Sequence, residues 1–200
     1  MKRILVPGVL VLLLLGLLAG ALLWQPQTPG NEHLTLAPDN TVVGGDFRLI
    51  GNTGPVALSD FRGQVVVLYF GYTWCPDICP TGLAALTAAL NQLNATEQQQ
   101  VQALFVSVDP ERDDPQRLAQ YTAYFHPRIM GLSGDLATLK SVARQYGASF
   151  NKVETGDANY PVDHTADLYL IGRDGQLATT LPHGAAPETI LQSLHNLLAE

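Results

Sequence analysis

The sequence predicts an α/β layered domain, and three observations carry that prediction. Two near-continuous apolar runs rich in β-branched and aromatic residues, Gln64–Tyr72 and Val101–Asp109, read as central strands buried on both faces. Segments with helical spacing of apolar residues follow each run. A hairpin and a last amphipathic helix then close the chain, which completes a layered pattern of strands and helices.

Each element has a local reason. "FRLI" (Phe47–Ile50) predicts a short strand, "GNTGP" a turn, and "VALSDFRG" a second short strand running into a polar loop. Leu83, Leu86, Leu90 and Leu93 repeat at helical spacing across Thr81–Leu93. Pro115–Phe125 predicts a helix with proline in its first turn, where a missing N–H costs nothing. Asp135–Tyr146 predicts another, capped by Asp135 and stopped by Gly147. "ADLYLI" and "QLATTL" flank Gly172-Arg173-Asp174-Gly175, a hairpin with an Asp-Gly turn. Pro187–Leu198 is the final helix. No internal repeat or low-complexity segment interrupts the pattern.

Upstream, Met1-Lys2-Arg3 precedes an uncharged, mostly apolar run of 21 residues from Ile4 to Trp24. As a helix this run spans roughly 30 Å, the thickness of a hydrocarbon core. Lys2 and Arg3 favour a cytoplasmic N-terminus, and Trp24 stands where an interfacial aromatic is expected. Ala19-Gly20-Ala21 resembles a signal-peptide cleavage site, but a signal core is usually about 7–15 residues long, so the run reads as an uncleaved anchor. Gln25–Thr41, with Pro26, Pro29, Gly30 and Pro38, reads as a tether. The expected organisation is a transmembrane anchor over residues 1–24, a flexible tether over 25–41 and a folded domain over 42–200. The domain would face the periplasm or outer side of the inner (cytoplasmic) membrane. Without Lys2 and Arg3, nine basic residues stand against 18 acidic ones, a net charge of −9, which argues against nucleic acid as a partner.

The chemistry concentrates in "GYTWCPDICPTGL" (Gly71–Leu83), which holds both cysteines of the chain, Cys75 and Cys79, three residues apart. A disulfide across so short a loop removes little unfolded-state entropy, so a purely structural bridge has little to offer. Each cysteine precedes a proline, which pushes it out of the α region. The expected geometry is a tight turn over Pro76–Ile78, with Cys79 as N-cap and the helix proper starting at Pro80. Both thiols would then face the positive end of the helix, which favours thiolate, the nucleophile and metal-ligating form. Two intervening residues are usual for a dithiol oxidoreductase. Three widen the turn so that both sulfurs can face one ion, while a bridge stays within reach.

Two thiolates leave a coordination sphere open, and five histidines are available. His33 lies in the tether, His126 at a helix end beside Pro127, His183 after the last strand, and His195 in the final helix. His164, in "YPVDHTADLYLI", precedes a strand where a sheet of this kind brings a loop back beside the cysteine turn. Sites in such sheets lie outside the carboxyl ends of the central strands, where the Cys75 loop falls.

Three stretches, "GGDFRLIGNTGPVALSDFRGQVVVLYFGYTWCPDICPTGLAAL", "FVSVDPERDDPQRLAQY" and "VDHTADLYLIGRDGQL", together resemble the Sco/SenC proteins. The resemblance runs from about Gly45 to the C-terminus, with the motifs in the family's order. It implies a thioredoxin-like fold and a membrane-anchored copper protein that helps assemble the CuA centre of cytochrome c oxidase. It further implies copper ligation by the cysteines of a CxxxCP motif and the histidine of a D-H motif, here Cys75, Cys79 and His164. Position 74, often histidine in the family, is Trp74 here and is not an expected ligand.

The donor chemistry is consistent with that. Two soft thiolates suit Cu(I), and an imidazole lets Cu(II) be held as well. Zinc could use the same groups, but a structural zinc site normally has four ligands. Asp77 and Asp163 are candidates to support the ligands from behind. The expected activity is a copper metallochaperone serving the CuA-bearing oxidase subunit, with a thioredoxin-like reductant keeping the Cys75–Cys79 pair reduced. The alternative is a thiol–disulfide oxidoreductase that reduces the cysteines of the CuA site. A peroxidase, for which Thr73 ahead of Cys75 speaks, needs neither His164 nor a second cysteine in the same turn.

Overall fold

A computed structural model describes residues 44–200 of the chain. The expected anchor over 1–24 and the whole of the expected tether over 25–41 lie outside the described residues. Among the described residues no helix is long and apolar enough to cross a membrane.

The frame is a five-stranded sheet in the order β5-β4-β3-β8-β9. β3 (Val65–Gly71) and β4 (Val101–Ser107) pair in parallel at its centre, and β5 (Ile129–Leu132) extends them in parallel at one edge. On the other side β8 (Leu168–Ile171) runs antiparallel to β3, and β9 (Leu177–Leu181) antiparallel to β8. All seven residues of both β3 and β4 are buried, as two apolar runs covered on both faces require.

Strand alternation then divides the core in two. Val66, Leu68 and Phe70 point to one face and pack with Leu104, Val106, Tyr146 and Tyr169. Val65, Val67 and Tyr69 point to the other and meet Leu83, Leu86 and Leu90 of helix α1 (Ile78–Leu90). This second face also takes Leu118 from the helix Pro115–Phe125 and Ile190 and Leu194 from the helix Pro187–Leu198. The first face is covered by the helix Leu136–Gln145 and by a hairpin of β1 (Arg48–Gly51) and β2 (Gly54–Ala57). The result is a thioredoxin-like arrangement, a mixed central sheet with helices on both faces and an added N-terminal hairpin.

Asp135 caps its helix as expected, accepting from Thr138 N at 2.9 Å, and Asp114 caps the Pro115 helix by accepting from Arg117 N at 2.8 Å. Numbered in chain order, the helices after α1 are α2 (Ala95–Gln99), α3 (Pro115–Phe125), α4 (Leu136–Gln145) and α5 (Pro187–Leu198). Helix α2 escapes an apolar-periodicity reading because it buries nothing. It forms through a capping box in which Asn94 accepts from Glu97 N and Glu97 returns the bond to Asn94 N. Two short strands, β6 (Phe150–Lys152) and β7 (Val162–His164), form a separate antiparallel pair beside the main sheet.

One local expectation is corrected. Helix α1 begins at Ile78 and includes Cys79, with Asp77 as its cap. The expectation treated Pro80 as a barrier. In fact the first helical bond is Thr81 N to Asp77 O, at 3.1 Å. Pro80 therefore sits in the first turn, where no N–H is used, and costs the helix nothing.

Candidate metal centre

The site is assembled at the carboxyl end of β3. After Gly71 the chain leaves the sheet, passes Tyr72, Thr73 and Trp74, and turns at Cys75 with a bond from Cys75 N to Tyr72 O of 3.3 Å. Gly71 permits this exit. A Cβ at that position would fall 2.6 Å from the Phe105 ring and 2.9 Å from Cys79 Sγ. The glycine is thus required by the close approach of the Phe105 ring and the sulfur rather than by backbone conformation.

Cys75 and Cys79 are both free thiols, and both are buried. Cys79 N points at Cys75 Sγ, 3.4 Å away, so the exposed backbone donors of the first turn of α1 serve the first thiol. The Cys75 thiol is drawn down to about 3, first by the hydrogen bond from Cys79's thiol, which outweighs burial, and further by His164 and the amides of Cys79 and Asp77. Cys79 is pushed up, first by that same bond and then by burial. One proton is therefore shared by the pair and sits on Cys79, leaving Cys75 as the thiolate.

His164 ends β7, paired with Phe150, and its ring stands edge-on to Tyr72. Its Nε2 lies 3.4 Å from Cys79 Sγ. Its Nδ1 lies 3.0 Å from the Thr165 carbonyl, to which only a protonated nitrogen can bond, so Nδ1 is held by that carbonyl and Nε2 is the nitrogen turned to the sulfurs. The Cys75, Cys79 and His164 donor atoms all lie within 4.8 Å of one another. That spacing lets one ion touch all three, and two sulfurs with one nitrogen form a soft, open donor set.

The remaining candidates stay apart from this set. The Asp77 side chain reaches Thr81 Oγ1 at 3.3 Å and gives the helix no side-chain cap. Asp163 is exposed, and the proton-fixing partner of His164 is the Thr165 carbonyl instead. His126, at the end of α3, is buried and accepts from Arg128 N at 3.1 Å. His195 faces Glu97 at 3.7 Å, and the His183 amide donates to Asp167 at 3.0 Å. His33 lies outside the described residues. Trp74 is 49% exposed at the rim of the site.

Sequence reasoning missed the group that holds the cysteine loop in place. Asp113, fully buried, accepts from Thr73 N at 2.9 Å, Thr73 Oγ1 at 2.6 Å and Ser107 Oγ at 2.9 Å. Burial pushes its carboxyl above the usual value, and these donors pull against that. Its signal lay in "DPERDDP", where one acidic residue of several turns inward, which spacing alone does not reveal.

Comparison with known proteins agrees with this geometry. The SCO1/SenC family profile matches residues 36–199. The mitochondrial protein SCO2 homolog of Bos taurus is 37% identical over 205 residues, covering 96% of this chain and 77% of its own length. Bradyrhizobium japonicum ScoI, solved with copper bound, superposes with a TM-score of 0.71 at 38% identity, covering 78% of this chain and 99% of that one. Apo Sco1 of Thermus thermophilus, solved in solution, gives 0.71 at 41% identity, covering 76% and 90%. With the profile spanning nearly the whole described domain and three side chains able to hold a metal gathered at one end of the sheet, the chain belongs to the SCO1/SenC family.

Proposed function

We propose that this chain binds copper through Cys75, Cys79 and His164 and delivers it to the CuA centre of cytochrome c oxidase. The observation that carries the reading is the gathering of two thiols and one imidazole within 4.8 Å of one another. Its membership of a family with copper-bound members supports the choice of metal. The thiolates supply soft donors for Cu(I), the imidazole a further donor for Cu(II), and a three-donor set leaves a position open for the acceptor's ligand during transfer. Copper is cargo here. With Cys75 drawn down and Cys79 pushed up, the pair gives up its remaining proton on loading, and His164 presents Nε2 to the sulfurs while its Nδ1 bonds the Thr165 carbonyl.

The decisive experiment loads the full-length chain with copper and mixes it with an apo CuA domain. Appearance of the CuA absorption with matching loss of copper from the donor supports delivery. A CuA domain that gains copper no faster than from free ion refutes it.

A second reading, reduction of the CuA cysteines, draws on the ionised Cys75 beside a protonated Cys79. Cys75 would attack a target disulfide, and Cys79 would resolve the mixed disulfide and leave Cys75–Cys79 oxidised. Insulin reduction alongside the transfer assay separates the two readings. Residues 1–24 would anchor the chain in the inner membrane and 25–41 tether the 42–200 domain on its outer side. There a thioredoxin-like reductant would restore the thiols.

A further inference from the structure

The three ligands come from two pieces of chain that leave neighbouring strands, the cysteines following β3 and His164 lying four residues before β8, the antiparallel partner of β3. Cys75 and Cys79 hang from β3 and α1, whereas His164 belongs to the separate β6–β7 pair. The sheet brings the two pieces near each other but makes no bond to the tips that carry the ligands, and the loop between β4 and α3, Val108–Asp114, touches both. On the cysteine side its Asp113 holds Thr73, two residues before Cys75. On the histidine side its Asp109 accepts from the Tyr160 hydroxyl at 2.8 Å, and its Glu111 pairs with Lys152 at 2.7 Å.

Arg112 sits between the two. Its Nε is paired with the buried Asp109, and its Nη1 donates to the Ala158 carbonyl at 3.3 Å. Its guanidinium lies 3.6 Å from the centre of the Tyr160 ring, 5.7 Å from Tyr72 and 5.9 Å from Trp74. Tyr72 in turn accepts from Val162 N at 3.3 Å and meets the His164 ring. One cation thus stacks on aromatic rings from the cysteine loop and from the histidine hairpin together, and its side chain is only 13% exposed.

We infer that Arg112 and Tyr160 are positioning residues that hold His164 against the thiolates, and that they decide whether the third donor is available to copper. The inference rests on the proposed copper function and adds to it a division of labour. The two sulfurs sit four residues apart at the entry to α1 and keep their spacing without the clamp, whereas the imidazole comes from the other hairpin and depends on it. The clamp therefore governs Cu(II), which needs the nitrogen, more than Cu(I), which two sulfurs satisfy.

The test uses the full-length chain and three variants. Tyr160→Leu removes the ring but leaves the Asp109–Arg112 pair intact, Arg112→Met removes the cation, and Tyr160→Phe keeps the stacked ring. Cu(I) affinity is read by competition titration, and Cu(II) binding by the thiolate-to-Cu(II) charge-transfer absorption. Tyr160→Leu and Arg112→Met should lose roughly ten- to a hundredfold in Cu(II) affinity, the usual effect of removing a group that orients a ligand. Both should bind Cu(I) as the wild type does, and Tyr160→Phe should restore the Cu(II) spectrum. An unchanged Cu(II) affinity in Tyr160→Leu overturns the inference and leaves the copper reading standing. Parallel loss of Cu(I) and Cu(II) overturns it too, since the clamp would then serve only the fold. A wild-type chain that takes up no copper overturns the functional reading and this inference together.

Discussion

Replacing Gly71 with alanine places a methyl group where the structure has no room. The added carbon would lie 2.6 Å and 2.9 Å from two atoms of the Phe105 ring and 2.9 Å from Cys79 Sγ. Phe105 is fully buried against Tyr69 and Tyr121, so its ring cannot swing into solvent. Both neighbours must therefore give way inside the core, the ring by roughly an ångström and the Cys79 sulfur by roughly half an ångström, to reach ordinary van der Waals distance. Overpacking of this kind costs about 1–3 kcal/mol. For a domain of this size each kcal/mol lowers the melting temperature by about 2–4 °C, so Gly71→Ala should melt roughly 2–12 °C lower. The same displacement moves Cys79 Sγ relative to Cys75 Sγ, the pair that holds Cu(I), so Cu(I) affinity should fall as well. Thermal unfolding followed by circular dichroism, with a Cu(I) competition titration on the same samples, measures both. An alanine variant that melts and binds like the wild type would refute the claim that the packing of the Phe105 ring and the Cys79 sulfur requires the glycine.

Four other outcomes are expected. His164→Ala should keep much of the Cu(I) binding while losing most of the Cu(II) charge-transfer band, and an unchanged band would exclude His164 as a ligand. Asp113→Ala strands the buried Ser107 hydroxyl and both Thr73 donors, at about 1–3 kcal/mol per orphaned group, and should lower both stability and copper affinity. Oxidation to a Cys75–Cys79 disulfide should abolish Cu(I) uptake until a reductant is added, which mass spectrometry of the metal-loaded chain would report. Finally, the folded Cys75 pKa, about 3, lies below the ordinary thiol value of 9.0, so the ionised group stabilises the apo-protein fully above pH 9.0 and loses that contribution as pH falls towards 3. Its alkylation rate should accordingly hold its plateau through neutral pH, where an ordinary thiol slows.

Much of this was legible in the sequence because its signals are local. The runs at Gln64–Tyr72 and Val101–Asp109 announced buried central strands, and Asp135 and Pro115 marked helix starts that the structure places within a residue. The pairing of the cysteine turn with His164 followed from fold logic together with the resemblance, and the structure brings those atoms together. What stayed hidden depended on long-range partners. β6 and β7 are three residues each, too short to show a period, and exist because Phe150 and Val162 find the core. The start of α1 was misjudged because proline's penalty was applied one turn too early. Asp113, Arg112 and Tyr160 acquire their roles only when loops far apart in sequence meet. The expected anchor at residues 1–24 falls outside the described residues, and carbonate extraction of membranes carrying the full-length chain tests it directly.

The central claim is that one copper ion is held by Cys75, Cys79 and His164 together. X-ray absorption at the copper edge, on full-length protein loaded with one equivalent of copper, tests it most directly. The account predicts one copper per chain with two sulfur and at least one nitrogen neighbour in the Cu(II) form, the nitrogen lost in His164→Ala and the sulfurs reduced in Cys75→Ser and Cys79→Ser. A copper shell of nitrogen and oxygen alone, or one that these three substitutions leave intact, would contradict it.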